Sequence, residues 1–485
     1  MMRLVTLAGR ELVLPGELSF ELQNPSFEAD AIPGTVSDPL SLAWCDQNLV
    51  ALDFPHLYRG PGGPPPVAVD CYLDGLRWRR GKLVYLSLDV AQRQLQYQFV
   101  ADAADLAAAI KDVKLPSLDL GTAPLSPSGQ AGAYALLPVR NATFYGDADQ
   151  APAGYSGYLN FVAPGLPTPP AGAPLAPQPY LVPLVRKVLA HFGYELVGRW
   201  ADDAELQTVV VYSDRLCVDP GTVTLNQHVP SIDVADLLLG VAGLFCLQVY
   251  VNPLTRQARF TPLSAVVAPA AASPWVRAGG VQQTTTGNTT NGFTLSQEPD
   301  GNDELDKSLD TSWQKLVIGA GGETQAVKAG TLHLVTVAEG SRTWLVPAYE
   351  GKGAVPGNAD VGNESRVGLR LLFNRGLQPD SAGNLYPLGS PGRVNQAGAV
   401  VGQYELRWAG PRGLYQVWHQ RWLDFRARAV QHTYQSPLTA ADLLALEPSQ
   451  ADYVDYHLCF WEKISFTVTA GQQLSQAEFT YSELL

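Results

Sequence analysis

Residues 3–22, RLVTLAGRELVLPGELSFEL, and residues 24–66, NPSFEADAIPGTVSDPLSLAWCDQNLVALDFPHLYRGPGGPPP, decide how this chain is read. The first stretch alternates apolar and polar positions on both sides of Pro15-Gly16, which predicts a hairpin. Residues 67–100 alternate again and predict further strands of the same sheet. The stretch between them has almost no period. A loop this long inside a compact domain is functional, or else argues against the assignment of its flanks. Its composition is not that of a disordered segment, because Phe27, Ile32, Leu40, Leu42, Trp44, Leu49, Leu52, Phe54 and Leu57 need a surface to lie on. We read 24–66 as an extended arm that reaches a neighbouring subunit. A loop folded back over its own barrel is the alternative. On the first reading Phe27, Leu40, Trp44 and Phe54 form an oligomer interface.

Composition sets the class around this arm. A chain of 485 residues has room for two to four domains. Its 45 glycines and 37 prolines exceed average usage and favour many short strands joined by turns. The net charge of −13 repels nucleic acid and anionic membranes. The densest basic run, Arg77-Trp78-Arg79-Arg80, reads as a polar hairpin end. The same negative charge would suit the wall of a channel along which DNA slides without binding. Cys45, Cys71, Cys217, Cys246 and Cys459 are an odd, scattered set, which predicts buried thiols in a reducing cytoplasm rather than a disulfide framework. The N-terminus lacks the apolar stretch of a signal peptide. No apolar run approaches the ~18–20 residues of a membrane helix, so no membrane anchor is expected.

Four regions follow along the chain. Residues 1–120 form a first β-rich, barrel-like unit, ending in an Ala-rich helix over 103–110 capped by Asp102. Residues 121–180 are a Pro/Gly-rich connecting region whose prolines oppose both sheet and helix. Residues 181–272 read as an α/β module. In it a helix carries Leu181, Leu184, Val185, Val188, Leu189 and Phe192 and stops at Gly193. A buried strand covers 209–212, and a second helix begins after Ser231 or Asp233. A hairpin turns at Asn252-Pro253-Leu254-Thr255. Residues 273–485 form a second β-barrel-like domain. Strands are expected over 331–337, 343–346, 369–373, 404–408, 425–431 and 464–468. A turn of helix holds Trp418 and Trp422, and a short helix is capped by Thr439. A last strand, 477–481, closes that barrel.

The search for chemistry returns little. Asp202-Asp203-Glu205 and Asp452 with Asp455 are the best acidic clusters, and both read as solvated turns rather than the paired carboxylates of a glycosidase. Ser156 and Ser390 lack the G-x-S-x-G elbow. The histidines His56, His191, His228, His333, His419, His432 and His457 never fall at zinc-ligand spacing. Asp300, Asn302 and Glu304 start a calcium-loop rhythm, but Leu305 replaces the required glycine, which leaves 300–310 as a mobile acidic loop. No metal, cofactor or catalytic residue is expected, and the chain reads as a non-enzyme.

Several stretches, in order along the chain, carry a resemblance. Asn24-Pro25 with Phe27, and Asn48 through Phe54-Pro55, are joined by Tyr180-Leu181-Val182-Pro183, by His191-Phe192-Gly193-Tyr194-Glu195, and by His228-Val229-Pro230-Ser231-Ile232-Asp233 with Asp236-Leu237-Leu238. Phe373-Asn374-Arg375-Gly376-Leu377-Gln378 and Gly413-Leu414-Tyr415-Gln416-Val417-Trp418 complete the set. Together they resemble the tail hub proteins (baseplate hub or tail tip) of tailed bacteriophages and prophages. The resemblance implies a mainly β, α+β chain with two β-barrel-like domains related to tail-tube proteins flanking the α/β module. It implies a homotrimeric ring in the virion, made in the host cytoplasm. That ring caps the tail tube or distal tail protein and links it to a spike, fibre or receptor-binding protein, while DNA passes through without specific binding. Many hubs carry extra wall-digesting or receptor domains after the last barrel strand, and here a separate protein is expected to supply those activities. The alternative is a carbohydrate-binding or polysaccharide-cleaving tail-tip component, which a Trp/Tyr groove with two carboxylates roughly 5–10 Å apart would favour.

Overall fold

Period-2 burial builds the main sheet. In Glu17–Gln23 the side chains of Leu18, Phe20 and Leu22 are buried while the positions between them face outward. Gln94–Ala101 buries Leu95, Tyr97, Phe99 and Ala101, and Gln476–Glu483 buries Ala477, Phe479 and Tyr481. The computed structural model describes residues 2–28, 35–61, 63–101, 103–146, 151–252, 254–268, 275–277, 280–288, 290, 292–358, 362–469 and 472–484. Ile32, the expected Asp102 cap and Pro253 lie outside them.

The chain is mainly β. Its largest sheet has 13 strands. We label them β1 Met2–Thr6, β2 Glu17–Gln23, β3 Thr35–Ser37, β4 Leu40–Ala43, β5 Val67–Leu73, β6 Leu76–Asp89 and β7 Gln94–Ala101. Then come β8 Trp275–Arg277, β9 Val281–Thr286, β10 Gln431–Pro437, β11 Asp452–Val454, β12 His457–Thr469 and β13 Gln476–Glu483. The strand order is β1-β5-β6-β7-β3-β2-β12-β13-β10-β9, with β4 on β7 and β8 reaching the sheet through β11. The β5–β6 turn places Asp74 and Gly75 at positive φ (49° and 83°), the pair of values that a tight two-residue hairpin demands.

Two expectations change here. Residues 3–22 are not one hairpin: β1 pairs antiparallel with β5, and β2 pairs with β3 and β12. Pro15 holds φ near −65°, whereas a two-residue hairpin turn needs positive φ. Residues 273–485 are not self-contained either, because β10, β12 and β13 join the sheet through β2, in the register Phe20↔Phe466. The core between them is aromatic. Phe20 lies 5.4 Å from both Trp78 and Phe466, and 6.2 Å from Phe99. Burying each such ring contributes about 1.5–3 kcal/mol.

The expected helices form, and one that was not expected, Asp46–Ala51, lies inside 24–66. We label them α1 Asp46–Ala51, α2 Ala103–Ile110, α3 Leu181–His191, α4 Val234–Leu244, α5 Gln420–Arg428 and α6 Ala440–Ala445. After α3, Gly193 takes φ +78°. Asp233 is the N-cap of α4, and Thr439 caps α6 in a reciprocal box with Asp442. The hairpin Leu247–Asn252 with Gln257–Pro262 forms as expected, and the Asn252 side-chain oxygen accepts from Leu254 N and Thr255 N.

Residues 425–431 were expected as a strand, yet α5 covers most of them. Trp418, Trp422 and Phe425 fall at helical spacing and are buried together. Residues 404–408 form no regular strand, although Leu406 and Trp408 are buried. The region 121–180 is more than a spacer. Val139–Arg140 pairs with Tyr158–Leu159 and meets Ala348, and Gln178–Pro179 pairs with Tyr134–Ala135. The strand Val209–Val211 pairs with 371–373 rather than within its own module.

Candidate functional site

The segment 24–66 is built from its ends inward. Asn24 is buried, and its side-chain amide donates to Pro448 O and Trp461 O, at 2.9 and 2.8 Å. Its backbone N donates to Glu462 O. This fastens residue 24 to β12 and delivers Phe27 to α5, 5.3 Å from Trp422 and 6.3 Å from Phe425. Farther on, β4 lies along β7 with Leu40 opposite Tyr97. Leu40 and Leu42 are 1% and 0% exposed. Asn48 acts as a three-way joint: its amide donates to Val13 O and Ala43 O, and its oxygen accepts from Val13 N.

The described part of 24–66 is therefore folded over its own sheet and is not an extended arm. The apolar positions of β4 find a strand partner within the chain, which satisfies backbone and side chains together. The structure does not bring Phe27, Leu40, Trp44 and Phe54 into one surface. Phe27 packs on α5, Leu40 lies in the core, and Trp44 is half-buried with its ring 4.9 Å from His56. Phe54 is 42% exposed beside Leu57 at 61%. Asp53 and Phe54 both adopt positive φ, 57° and 51°. For a bulky aromatic this conformation is strained by on the order of 1–3 kcal/mol.

The acidic clusters are joints as well. Glu205 receives Arg375 Nη1 at 2.5 Å and the backbone N–H groups of Gln403 and Tyr404. Arg375 completes its fork by donating to Gly392 O and Tyr404 O, and its guanidinium lies 3.9 Å over the Phe373 ring. Asp203 accepts from Tyr404 OH and from the backbone of residues 205 and 206. Asp202 alone of this cluster is largely exposed. The loop 300–310 is fastened rather than mobile. Asp306 bonds His333 Nε2 at 2.8 Å and accepts from Gln314, and Asp303 accepts from Leu305 N and Glu350 N. Burial pushes the Asp303 carboxyl up to about 6. Asp452 is buried and accepts from Tyr481 OH.

The remaining reactive groups are similarly occupied. Ser390 is buried and bonded to Gly392, and Ser156 is exposed in a turn. His228 and His419 are buried against backbone carbonyls, and burial lowers both to about 4. Glu483 bridges His432 and His457. All five cysteines are free thiols, and burial pushes Cys459 up to about 12. Among the described residues no group of three or more His, Cys, Asp or Glu is placed to hold a metal. No described helix is long and apolar enough to cross a membrane.

Reading the sequence missed three features: the buried Glu205–Arg375 clamp, the His333–Asp306 pair and the αL placement of Phe54. No local pattern marks the first two, because their partners lie elsewhere along the chain.

No family model and no curated protein matches this chain. Among solved structures it is similar to the 43 kDa tail protein of prophage MuSo2 from Shewanella oneidensis. That similarity has 11% identity and a TM-score of 0.39, and covers 100% of this chain and 98% of the other. It is also similar to the tail protein from Neisseria meningitidis MC58, with 8% identity, a TM-score of 0.38, and coverage of 99% and 96%.

Proposed function

We propose that this chain is a structural component of a bacteriophage tail, and within it a hub: a ring of three copies that caps the tail tube and carries the spike or fibres. The observation that carries this reading is where the resembling stretches lie. Asn24 locks the start of the chain to β12, and Arg375 is the centre of a buried clamp. His228 and Trp418 are buried. Residues that serve only to hold a fold together are what a load-bearing ring protein needs, and they are poor candidates for substrate chemistry.

The test is to purify tails and identify this chain in them by mass spectrometry, then count its copies by symmetry analysis of the imaged particle. Three copies at one end of the tube is the expected result. Absence from purified tails, or a single copy, ends the proposal.

A further inference from the structure

We propose that the two ends of the large sheet recognise each other between copies of this chain, the β1–β5–β6 end of one copy docking on the β9–β10–β13 end of a second copy. This rests on the ring reading above and names its contact. The β9 end is open. Among the described residues its only sheet neighbour is β10, every residue from Val281 to Thr286 is exposed, Val281 is 68% exposed, and the strand carries no charge. Solvent-facing edge strands are ordinarily guarded by charged side chains. A Val/Gln/Thr edge bare on both faces is poorly suited to water alone.

The β1 end is closed by its own chain. Leu12 N donates to Leu4 O, Thr6 N to Arg10 O, and the Gln47 amide to Glu11 O. Such an end approaches a neighbour through its side chains, and those are basic. Strands β1 and β6 and the segment covering β1 carry Arg3, Arg10, Arg77, Arg79, Arg80 and Lys82, against Glu11, Asp70, Asp74 and Asp89, and Glu11 holds Arg3. At the other end Asp455, Glu462, Glu478 and Glu483 stand around β12 and β13 with Lys463 as the one cation of those two strands. Asp70 already holds Arg80, and the two histidines already hold Glu483. The complementarity is therefore between fields rather than single pairs. Fields of this kind set orientation and encounter rate.

Six strands of the path stand between β5 and β10, and among the described residues neither β1 nor β9 pairs with the opposite end, so the two ends of one copy do not pair with each other. A contact between two different surfaces is head-to-tail, and it closes into a ring when the rotation permits.

Charge exchange in the full-length chain tests the contact. One variant carries Arg77→Glu and Arg80→Glu, another Glu462→Lys and Glu478→Lys, and a third all four. Sedimentation should give the wild type a multi-chain mass and each double variant the single-chain mass, with the folded circular dichroism spectrum retained at the temperature of the measurement. The fourfold exchange should restore the multi-chain mass. A salt titration of the wild type needs no variant to fold: association should weaken at least tenfold between ~0.05 and ~1 M salt. The proposal is overturned by a single-chain wild type, by double variants that still assemble, by a fourfold exchange that does not recover, or by indifference to salt. Detection of the chain in purified tails is read separately, so the contact can fail while the tail reading stands.

Discussion

Glu205 and Asp214 are both acids held inside the fold, and they are held by different partners. Glu205 faces the Arg375 guanidinium and two backbone N–H groups. Asp214 is 0% exposed and accepts from the Arg366 N–H, with Ser365 beside it and no cation bonded to it. Burial pushes Asp214 up to about 6. Burial lowers the Arg375 value, and the hydrogen bond and ion pair to Glu205 oppose that change. The pair teaches that depth alone does not decide the state of a buried charge. What decides it is whether a distant part of the chain supplies the counter-charge.

The largest expected effect is at the clamp. Glu205→Ala leaves a buried guanidinium without its carboxylate, which costs about 3–5 kcal/mol. Chemical denaturation should show it as a lower midpoint, and a loss below ~1 kcal/mol would break the comparison. The second effect is at Asp214 and has a sign. Its folded value lies above that of an unfolded aspartate, so its contribution is full below about pH 4 and is lost as pH rises through about 6. The amount is about 2–3 kcal/mol. Melting profiles between pH 4 and 7 should therefore slope less upward in the wild type than in Asp214→Asn, and parallel profiles would remove Asp214 as the cause. Asp303, pushed to about 6 by burial, adds in the same direction.

A buried polar joint with no charge sharpens the contrast. Asn48→Ala removes three bonds to Val13 and Ala43 and should cost about 2 kcal/mol. That loss should be equal at pH 5 and pH 8. The smallest effect is at the surface. Phe54→Gly relieves an αL aromatic that is largely outside the core and should raise stability by about 1 kcal/mol. If it lowers stability instead, the ring of Phe54 packs better than its exposure suggests.

The local elements were legible. Alternation marked β2, β7 and β13. The spacing of Leu181, Leu184, Val185 and Val188 marked α3, and Thr439 marked the start of α6. The acidic site candidates were legible as clusters but misread as solvated turns, since Asp203, Glu205 and Asp306 each look like surface residues from their neighbours in sequence. Among the arm residues, the apolar character of Leu40 and Phe27 correctly demanded a surface. It did not say that the surface belonged to the same chain.

Periodicity is a property of a few consecutive residues, so the sequence by itself determined where strands and helices form and which face of each is apolar. Pairing is different. β2 lies on β12 from the far end of the chain, and Arg375 meets a carboxylate 170 positions away. No local pattern encodes such partners, because any alternating strand satisfies the backbone of any other. The tertiary structure alone decided that the chain's two ends share one sheet, that the described part of 24–66 folds back onto it, and that Glu205, Asp303 and Asp306 are held by partners elsewhere in the chain. Only the packing of the whole core selects which of many equivalent pairings buries the most apolar surface.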